Sequence, residues 1–177
     1  WERMLAKVEV DRREPPLVPA SLFSGRDPAQ ARHANRDYTV VYAAGDRAMC
    51  AALAALITED AVYRDAALEQ MDALFDEQRW PEWRDLSHQG VTADLRTGQL
   101  SQALALSYDW LHRSMTDSQR KRVVEGINRC GIRRYLKAVE EEPFWLTHQN
   151  NWQTVIVGGL GIAGMALGED HPESQKL

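Results

Sequence analysis

The chain has 177 residues, of which 44% are hydrophobic and 27% charged, and its formal net charge is −5. This length allows one domain that buries about 70% of its unfolded surface, and the composition is ordinary for a globular protein. The acidic balance argues against a nucleic-acid partner, two cysteines are too few for a disulfide scaffold, and the longest apolar run, residues 155–167, is too short to suggest a membrane partner.

Residues 1–36 predict the tail of a helix followed by a proline-rich loop. Apolar residues recur at helical spacing as far as residue 8, after which Pro15, Pro16 and Pro19 force an extended segment. The chain begins at Trp1, without an initiator methionine or a signal peptide, so we expect a fragment or a processed product.

Residues 37–177 predict a series of helices. Gly45 and Asp46 are expected to interrupt the first, with Asp46 as the N-cap of a helix that runs to residue 57. Residues 60–78 combine an apolar stripe with a charged face. Residues 92–115 have a broader apolar arc, which indicates a helix covered on more than one side.

The next helix is predicted to open with a T-x-x-Q capping box at residues 116–119. The basic residues between positions 120 and 134 are interpreted as its solvated face. Gly131 is expected to end this helix at its C′ position, and a short helix to residue 140 follows. No segment alternates with period 2 over a convincing length, so the predicted class is all-α, built from antiparallel helical hairpins.

A glycine-rich run near the end of the chain has two interpretations. Residues 159–164 read G-L-G-I-A-G and follow the strand-like residues 155–157, which fits a dinucleotide-binding fingerprint. Alternatively, glycines 158, 161, 164 and 168 share one helix face and allow another helix to approach closely. The second interpretation predicts one buried helix over residues 152–167, in which Gly161→Leu is strongly destabilising.

Aromatic and histidine side chains between residues 80 and 88 are candidate binding groups. Trp80 and Trp83 flank a proline, and they either stack on sugar rings or plug a helix junction. His88 either donates to a carboxylate or sulfate of a substrate or is an ordinary surface histidine.

The segment H-Q-N-N-W at residues 148–152 places amides and an aromatic ring beside a histidine. An amide provides N–H donors for a carboxylate without adding a competing negative charge. An asparagine pair at the start of a helix is also explained by simple capping.

Several segments together resemble one enzyme family. The runs L-R-T-G-Q-L (residues 95–100) and L-A-L-S-Y-D-W-L (104–111), followed by N-N-W (150–152) and G-G-L (158–160), look like those of heparinase-II/III-like polysaccharide lyases and their alginate-lyase relatives. A Ser87-His88 pair also falls where such sequences often have one. The resemblance extends from residue 80 to residue 173 and, more loosely, back to residue 47.

The resemblance implies that residues 37–177 form the front half of an α/α toroid, incomplete here, with the remaining helices and a β-sandwich domain beyond Leu177. Such enzymes cleave acidic, uronic-acid polysaccharides by β-elimination, and an asparagine or histidine neutralises the uronate carboxylate. No metal or cofactor is implied, and the location would be periplasmic or secreted. The implied catalytic residue is Asn151, or else Asn150, and the implied substrate-binding residues are His148, Trp152, His88, Trp83 and Arg96.

Some positions depart from the family pattern. Trp152 stands where some relatives have histidine, and Arg96 and Gln99 stand where many have acidic residues. The proton-transferring tyrosine is expected beyond Leu177, so the chain by itself is expected to be inactive. Half a toroid would also leave apolar helix faces uncovered, which predicts self-association or an exposed apolar patch.

Two functions from other classes are alternatives to the lyase. The chain would be a dinucleotide-binding fragment if the glycines from Gly159 to Gly164 formed a phosphate-binding turn. It would be a non-catalytic, α-helical glycan-binding module if the toroid carried no reaction.

Overall fold

A computed structural model describes residues 1–18, 36–84, 88 and 90–177, and these residues form helices without a strand, which confirms the all-α class. The predicted loop over residues 21–35, and Ser87, lie outside the described residues. Short 3₁₀ turns follow α4 and α8, and a π-turn over residues 128–132 joins α5 to α6. The α-helices are α1 (Glu2–Asp11), α2 (Arg36–Thr58), α3 (Ala61–Phe75), α4 (Leu95–Leu111), α5 (Asp117–Ile127), α6 (Arg133–Glu140), α7 (Phe144–Thr147) and α8 (Asn151–Leu167).

Helices α4 and α8 pack side by side and run in the same direction. In their first halves, Gly98 of α4 lies directly against Val155 of α8. At the other end, the Tyr108 hydroxyl of α4 donates a hydrogen bond to Asp170, just after α8, over 2.7 Å. Because the N-terminal halves of the two helices contact each other and so do their C-terminal ends, both N-termini lie at the same end of the molecule.

Helix α2 packs against α4 with the same orientation. Gly45 of α2 contacts Ala103 in α4, and Leu56 and Trp110 border one crevice near the C-terminal ends of the two helices. Helices α2, α4 and α8 therefore form one layer, with α4 in the middle.

The returning helices form a second layer. Ion pairs join Arg122 to Asp72 (2.8 Å) and Arg129 to Glu77 (2.5 Å), so α3 and the α5–α6 helix also run in one direction. Short turns connect α2 to α3 and α4 to α5. Successive helices thus pair as antiparallel hairpins, as the sequence predicts.

Helices α4 and α8 cross through two glycines. A Cβ atom on Gly98 would lie 2.4 Å from a carbonyl oxygen of α8, and one on Gly159 would lie 2.2 Å from the carbonyl oxygen of Gly98. Residues 152–167 form one helix, as predicted, but only one of its faces is buried. The predicted glycine face is not the face that α4 contacts, although a Cβ on Gly164 would lie 2.7 Å from the carbonyl oxygen of Ser174, after α8. A Cβ on Gly158 would meet nothing within 4 Å, and one on Gly161 would meet a single atom, at 3.9 Å. Gly161→Leu is therefore not expected to be strongly destabilising.

Two other glycines were predicted to interrupt helices and do not. Gly45 lies inside the continuous helix α2, where a Cβ would come within 3.2 Å of the Ala103 side chain. Gly131 lies inside the π-turn that continues α5 into α6, where a Cβ would come within 2.2 Å of Ser101 Oγ. Both positions need a small residue because another helix is close, so tertiary packing overrides the local preference of glycine for helix ends.

The predicted capping box at the start of α5 is confirmed. Thr116 Oγ1 accepts from the Gln119 N–H (3.2 Å), and Gln119 Oε1 accepts from the Thr116 N–H (2.8 Å). The basic side chains between residues 120 and 134 are exposed or half-buried, which agrees with a solvated face.

Helix α1 and the residues after it are fixed to α2 and α3 by buried polar groups. The Arg47 guanidinium donates to three main-chain carbonyl oxygens between residues 11 and 15, although Arg47 is only 7% exposed. The Gln70 amide both donates to the Leu17 carbonyl oxygen (3.0 Å) and accepts from its N–H (2.8 Å). The Arg47 and Gln70 side chains thus form hydrogen bonds with main-chain groups of the extended segment after α1.

Arg47→Met is expected to lower the free energy of unfolding by about 1–3 kcal/mol, because carbonyl groups that it now satisfies would lose their donor. Urea unfolding followed by circular dichroism measures this. Arg12→Met is the matched control, since Arg12 forms a partly exposed ion pair with Glu9 on α1 (2.8 Å), and exposed ion pairs contribute little to stability. Equal losses in the two variants would contradict the role assigned to Arg47.

Among the described residues, one helix is long and apolar enough to span a membrane by length and composition alone, although the charged residues Asp46 and Arg47 interrupt its apolar sequence. The segment is Val40–Thr58 of α2, with a mean hydropathy of 1.5 over its most apolar window. That window is 56% buried inside the structure, and a core helix passes the same test.

Among the described residues, Leu56, Ile57 and Val62 are apolar and 46–56% exposed at the α2–α3 turn. Self-association through such faces stays a prediction.

Candidate functional site

The predicted amide pair lies at the start of α8, and its two members differ in role. Asn150 is the N-cap: its Oδ1 accepts from the N–H groups of Trp152 (3.0 Å) and Gln153 (3.3 Å). The capping interpretation therefore holds for Asn150. Asn151 is the first residue of the helix, and its side chain is exposed. Because its neighbour already caps the helix, the Asn151 amide is available to a ligand.

His148 immediately precedes this helix and is exposed. Its Nδ1 lies 2.9 Å from the carbonyl oxygen of Phe144 and 3.1 Å from Thr147 Oγ1. A carbonyl oxygen only accepts, so the first contact places the imidazole proton on Nδ1. The ring is thereby held at the end of α7, beside the Asn150 cap.

Trp152 and His88 come from distant parts of the chain and touch. Their ring centroids are 4.7 Å apart in an edge-to-face arrangement. The Phe144 ring packs against the ring of Trp152, with their centroids 5.2 Å apart. Four of the predicted site residues, His88, His148, Asn151 and Trp152, are thus brought to the N-terminal end of α8, and we call them the α8 N-terminal cluster.

Asp94 was not predicted and holds His88 in this cluster. Its Oδ2 lies 2.9 Å from His88 Nδ1, and its side chain is only 1% exposed. The same carboxylate caps α4, because Oδ1 accepts from the Arg96 N–H over 2.9 Å. Thr97 completes this cap by accepting from the Asp94 N–H. The D-x-x-T spacing at residues 94–97 is a capping-box pattern that could have located this aspartate from the sequence.

Two predicted substrate-binding residues lie in the interior instead. Trp83 is 2% exposed, its indole Nε1 donates to the Leu74 carbonyl oxygen (3.0 Å), and its ring stacks near that of Phe75. It plugs the junction between α3 and α4, so its assignment to a sugar subsite is wrong for this structure. Arg96 is 5% exposed, because the first turn of α4 is covered on several sides, and it presents almost no surface to a glycan.

A cleft of about 380 Å³ runs between α2, α4 and α8. The residues that line it include Tyr42, Gln99, Gln102, Thr154 and Gly158. Asn151, Thr154 and Gly158 are spaced i, i+3 and i+7, which places them on one face of α8. Two residues that line the cleft, Thr154 and Gly158, therefore share a face of α8 with Asn151. Asp46 is the charged residue among those that line it.

A second polar cluster lies at the opposite end of α4 and α8. Asp170 Oδ2 accepts from the Tyr108 hydroxyl and lies 3.1 Å from His112 Nε2. Burial, together with the hydrogen bond to Asp170, raises the pKa of Tyr108. A phenol that is 1% exposed and held in its protonated form is unsuited to remove a proton from a substrate.

The glycine run at residues 159–164 lies within α8 and is preceded by helical residues rather than by a strand. The strand–turn–helix geometry that a dinucleotide fingerprint requires is therefore not formed. Within the part of the chain that the structure describes, no three His, Cys, Asp or Glu side chains are grouped so as to hold a metal ion. No protein-family model matches this chain, and no curated protein matches it at a significant level.

Proposed function

We propose that this chain provides the uronate-binding part of a polysaccharide lyase that cleaves acidic glycans by β-elimination. The observation that carries the proposal is the α8 N-terminal cluster. An exposed amide, Asn151, begins the helix there, and the next residue, Trp152, pairs its ring with that of His88. These residues belong to the segments on which the family resemblance rests. His88 and Trp152 are far apart in the sequence, so the contact between their rings is a separate observation that supports the proposal.

The chemistry of elimination explains why such a surface suits a uronate. The C5–H bond breaks, its electron pair forms the C4–C5 double bond, and the C4–oxygen bond breaks as the leaving oxygen takes up a proton. C5–H is a very weak acid while the neighbouring carboxylate keeps its full charge. Donors aimed at that carboxylate stabilise the enolate-like charge that develops in the transition state. The N-terminus of α8 adds a favourable partial positive charge.

Each residue of the cluster has a distinct proposed role. Asn151 donates its amide N–H groups to the uronate carboxylate at the cleavage position. Trp152 offers an apolar ring edge to a sugar, and His88 and His148 contribute polar contacts on either side of it. The proton acceptor is proposed to be a tyrosine outside these 177 residues, as the family resemblance implies. Tyr108 is unsuited to the role, because it is buried and bound to Asp170.

The layered hairpins are also what an α/α toroid would require. Helices α2, α4 and α8 form one parallel layer and α3 with α5–α6 forms the other, so the chain alternates between two layers. Further hairpins of the same kind would extend both layers around a ring. The cleft between α2, α4 and α8 would then lie on the layer that carries the α8 N-terminal cluster.

The function is tested by assaying the protein at its natural length on a panel of uronic-acid polysaccharides. The absorbance of the unsaturated product is expected to rise with at least one of them. Carboxyl-reduced forms of the same polymers are the matched controls and are expected to give no product. Tight binding to the panel without product would identify a non-catalytic glycan-binding module and would contradict the lyase proposal.

Gly158→Leu tests whether the glycan path includes the cleft. The new side chain would enter open space and fill part of the cleft, so we expect weaker glycan binding with little change in melting temperature. Gly161→Leu is the matched control, because it makes the same change on the same helix at a position that does not line the cleft. Isothermal titration with a uronate oligosaccharide measures both. Unchanged affinity in Gly158→Leu would remove the cleft from the proposed binding surface.

A further inference from the structure

We propose that Asp94 is a positioning residue that holds the neutral form of His88 as the tautomer with its proton on Nδ1, in which Nε2 accepts from a sugar hydroxyl. The inference rests on the proposed function only in assigning His88 to a glycan site. Two residues would then recognise different groups of the substrate. The Asn151 amide would donate to the carboxylate, and His88 Nε2 would accept from a sugar hydroxyl.

The geometry at Asp94 determines which imidazole nitrogen carries the proton. Its Oδ1 accepts from the Arg96 N–H (2.9 Å), and its Oδ2 lies 2.9 Å from His88 Nδ1. An ionised carboxylate has no proton to donate. The contact to Oδ2 therefore requires that Nδ1 be the donor, which leaves the lone pair of neutral imidazole on Nε2.

The surroundings of His88 keep the ring in this orientation. Asp94 is 1% exposed and is part of the α4 capping box, in which Thr97 Oγ1 also donates to the Trp83 carbonyl oxygen (3.0 Å). Trp152 packs against the imidazole with a centroid distance of 4.7 Å. The carboxylate is thus anchored to the helix, and the aromatic ring limits rotation of the imidazole.

The chemical consequence is a preference for hydrogen-bond donors at His88. A neutral imidazole with Nδ1 engaged only accepts at Nε2, and a sugar hydroxyl can donate to it. A carboxylate oxygen would meet a lone pair there and be disfavoured. His88 is 33% exposed in its side chain, so a ligand can reach this part of the cluster.

The decisive experiment is ¹⁵N NMR of the histidine side chains at a pH at which imidazole is neutral. His88 is expected to show a protonated Nδ1 and an unprotonated Nε2. His112 is an internal reference with the opposite expectation, since its Nε2 is the nitrogen that contacts Asp170. A predominantly Nε2-protonated His88 in the wild-type chain would overturn the proposal without any variant.

Asp94→Asn then tests the cause. Asparagine keeps an oxygen for the Arg96 N–H and remains a good N-cap, but it turns its NH₂ group towards His88 and favours the proton on Nε2. The His88 tautomer is expected to change, while His148, which contacts a main-chain carbonyl, keeps its own. Affinity for a uronate oligosaccharide is expected to fall between about 2-fold and 12-fold, the net value of one hydrogen bond.

An unchanged His88 tautomer in folded Asp94→Asn would overturn the positioning role. If that variant does not fold, the wild-type spectrum still decides the proposal. The NMR result does not depend on catalysis, so failure of the positioning role and failure of the lyase proposal are separate outcomes.

Discussion

Asn151→Ala is expected to lower kcat of the protein at its natural length by about 10²–10³ with little change in melting temperature. Removing one donor that acts on developing charge typically has an effect of this size. Asn151 is exposed, and the cap of α8 is supplied by its neighbour Asn150. The lost amide should therefore affect the reaction rather than the fold. Product absorbance and thermal melts of the same preparations measure the two quantities.

Asn150→Ala is the matched control for this prediction. The same chemical group is removed one residue away, but here it accepts from two main-chain N–H groups at the helix start. We expect a loss of about 0.5–2 kcal/mol in stability and near-normal turnover of the folded protein. Near-normal turnover in Asn151→Ala instead would remove Asn151 from the catalytic role, and a fall in its stability alone would show that it acts as a cap.

Gly159→Ala is expected to destabilise the protein by roughly 1–3 kcal/mol or more, the range for overpacking. The added Cβ would lie 2.2 Å from the main-chain oxygen of Gly98, so α4 and α8 would have to move apart. Main-chain atoms of a neighbouring helix cannot yield in the way that a flexible side chain can. Thermal or urea unfolding followed by circular dichroism measures the effect.

Gly158→Ala is the control for the helix crossing. The same methyl group on the adjacent residue meets nothing within 4 Å, and alanine is favoured over glycine in a helix by up to about 1 kcal/mol. A small gain in stability is therefore expected there. Similar effects at the two positions would contradict the close crossing of α4 and α8.

The sequence was sufficient for the class of fold and for several helix limits, because these follow from local patterns. The T-x-x-Q box at Thr116 and the long helix through residues 152–167 are examples. It failed where another helix decides the role of a residue. Gly45 and Gly131 looked like helix ends and are contact points, and the close glycine of α8 is Gly159, not Gly161. Spacing within one helix cannot reveal which face a second helix will cover.

The candidate site was predictable to a similar degree. The run at residues 148–152 indicated an amide and an aromatic ring at a helix start, and the structure separates the capping amide of Asn150 from the exposed amide of Asn151. Trp83 was assigned to the site because of its ring, but burial and a hydrogen bond to Leu74 place it in the core. The D-x-x-T pattern indicates Asp94 as a helix cap, but it does not indicate that the same carboxylate also contacts His88.

The most direct test of the proposed site is two-dimensional NMR of the 177-residue chain titrated with a uronic-acid oligosaccharide and, separately, with its carboxyl-reduced form. The acidic ligand is expected to shift the Asn151 side-chain amide, the Trp152 indole and His88, and the reduced ligand is expected to leave the Asn151 amide almost unchanged. Equal shifts with both ligands, no shifts at the α8 N-terminal cluster, or shifts confined to the cluster around Tyr108 and Asp170 would contradict the assignment of a uronate site to the start of α8.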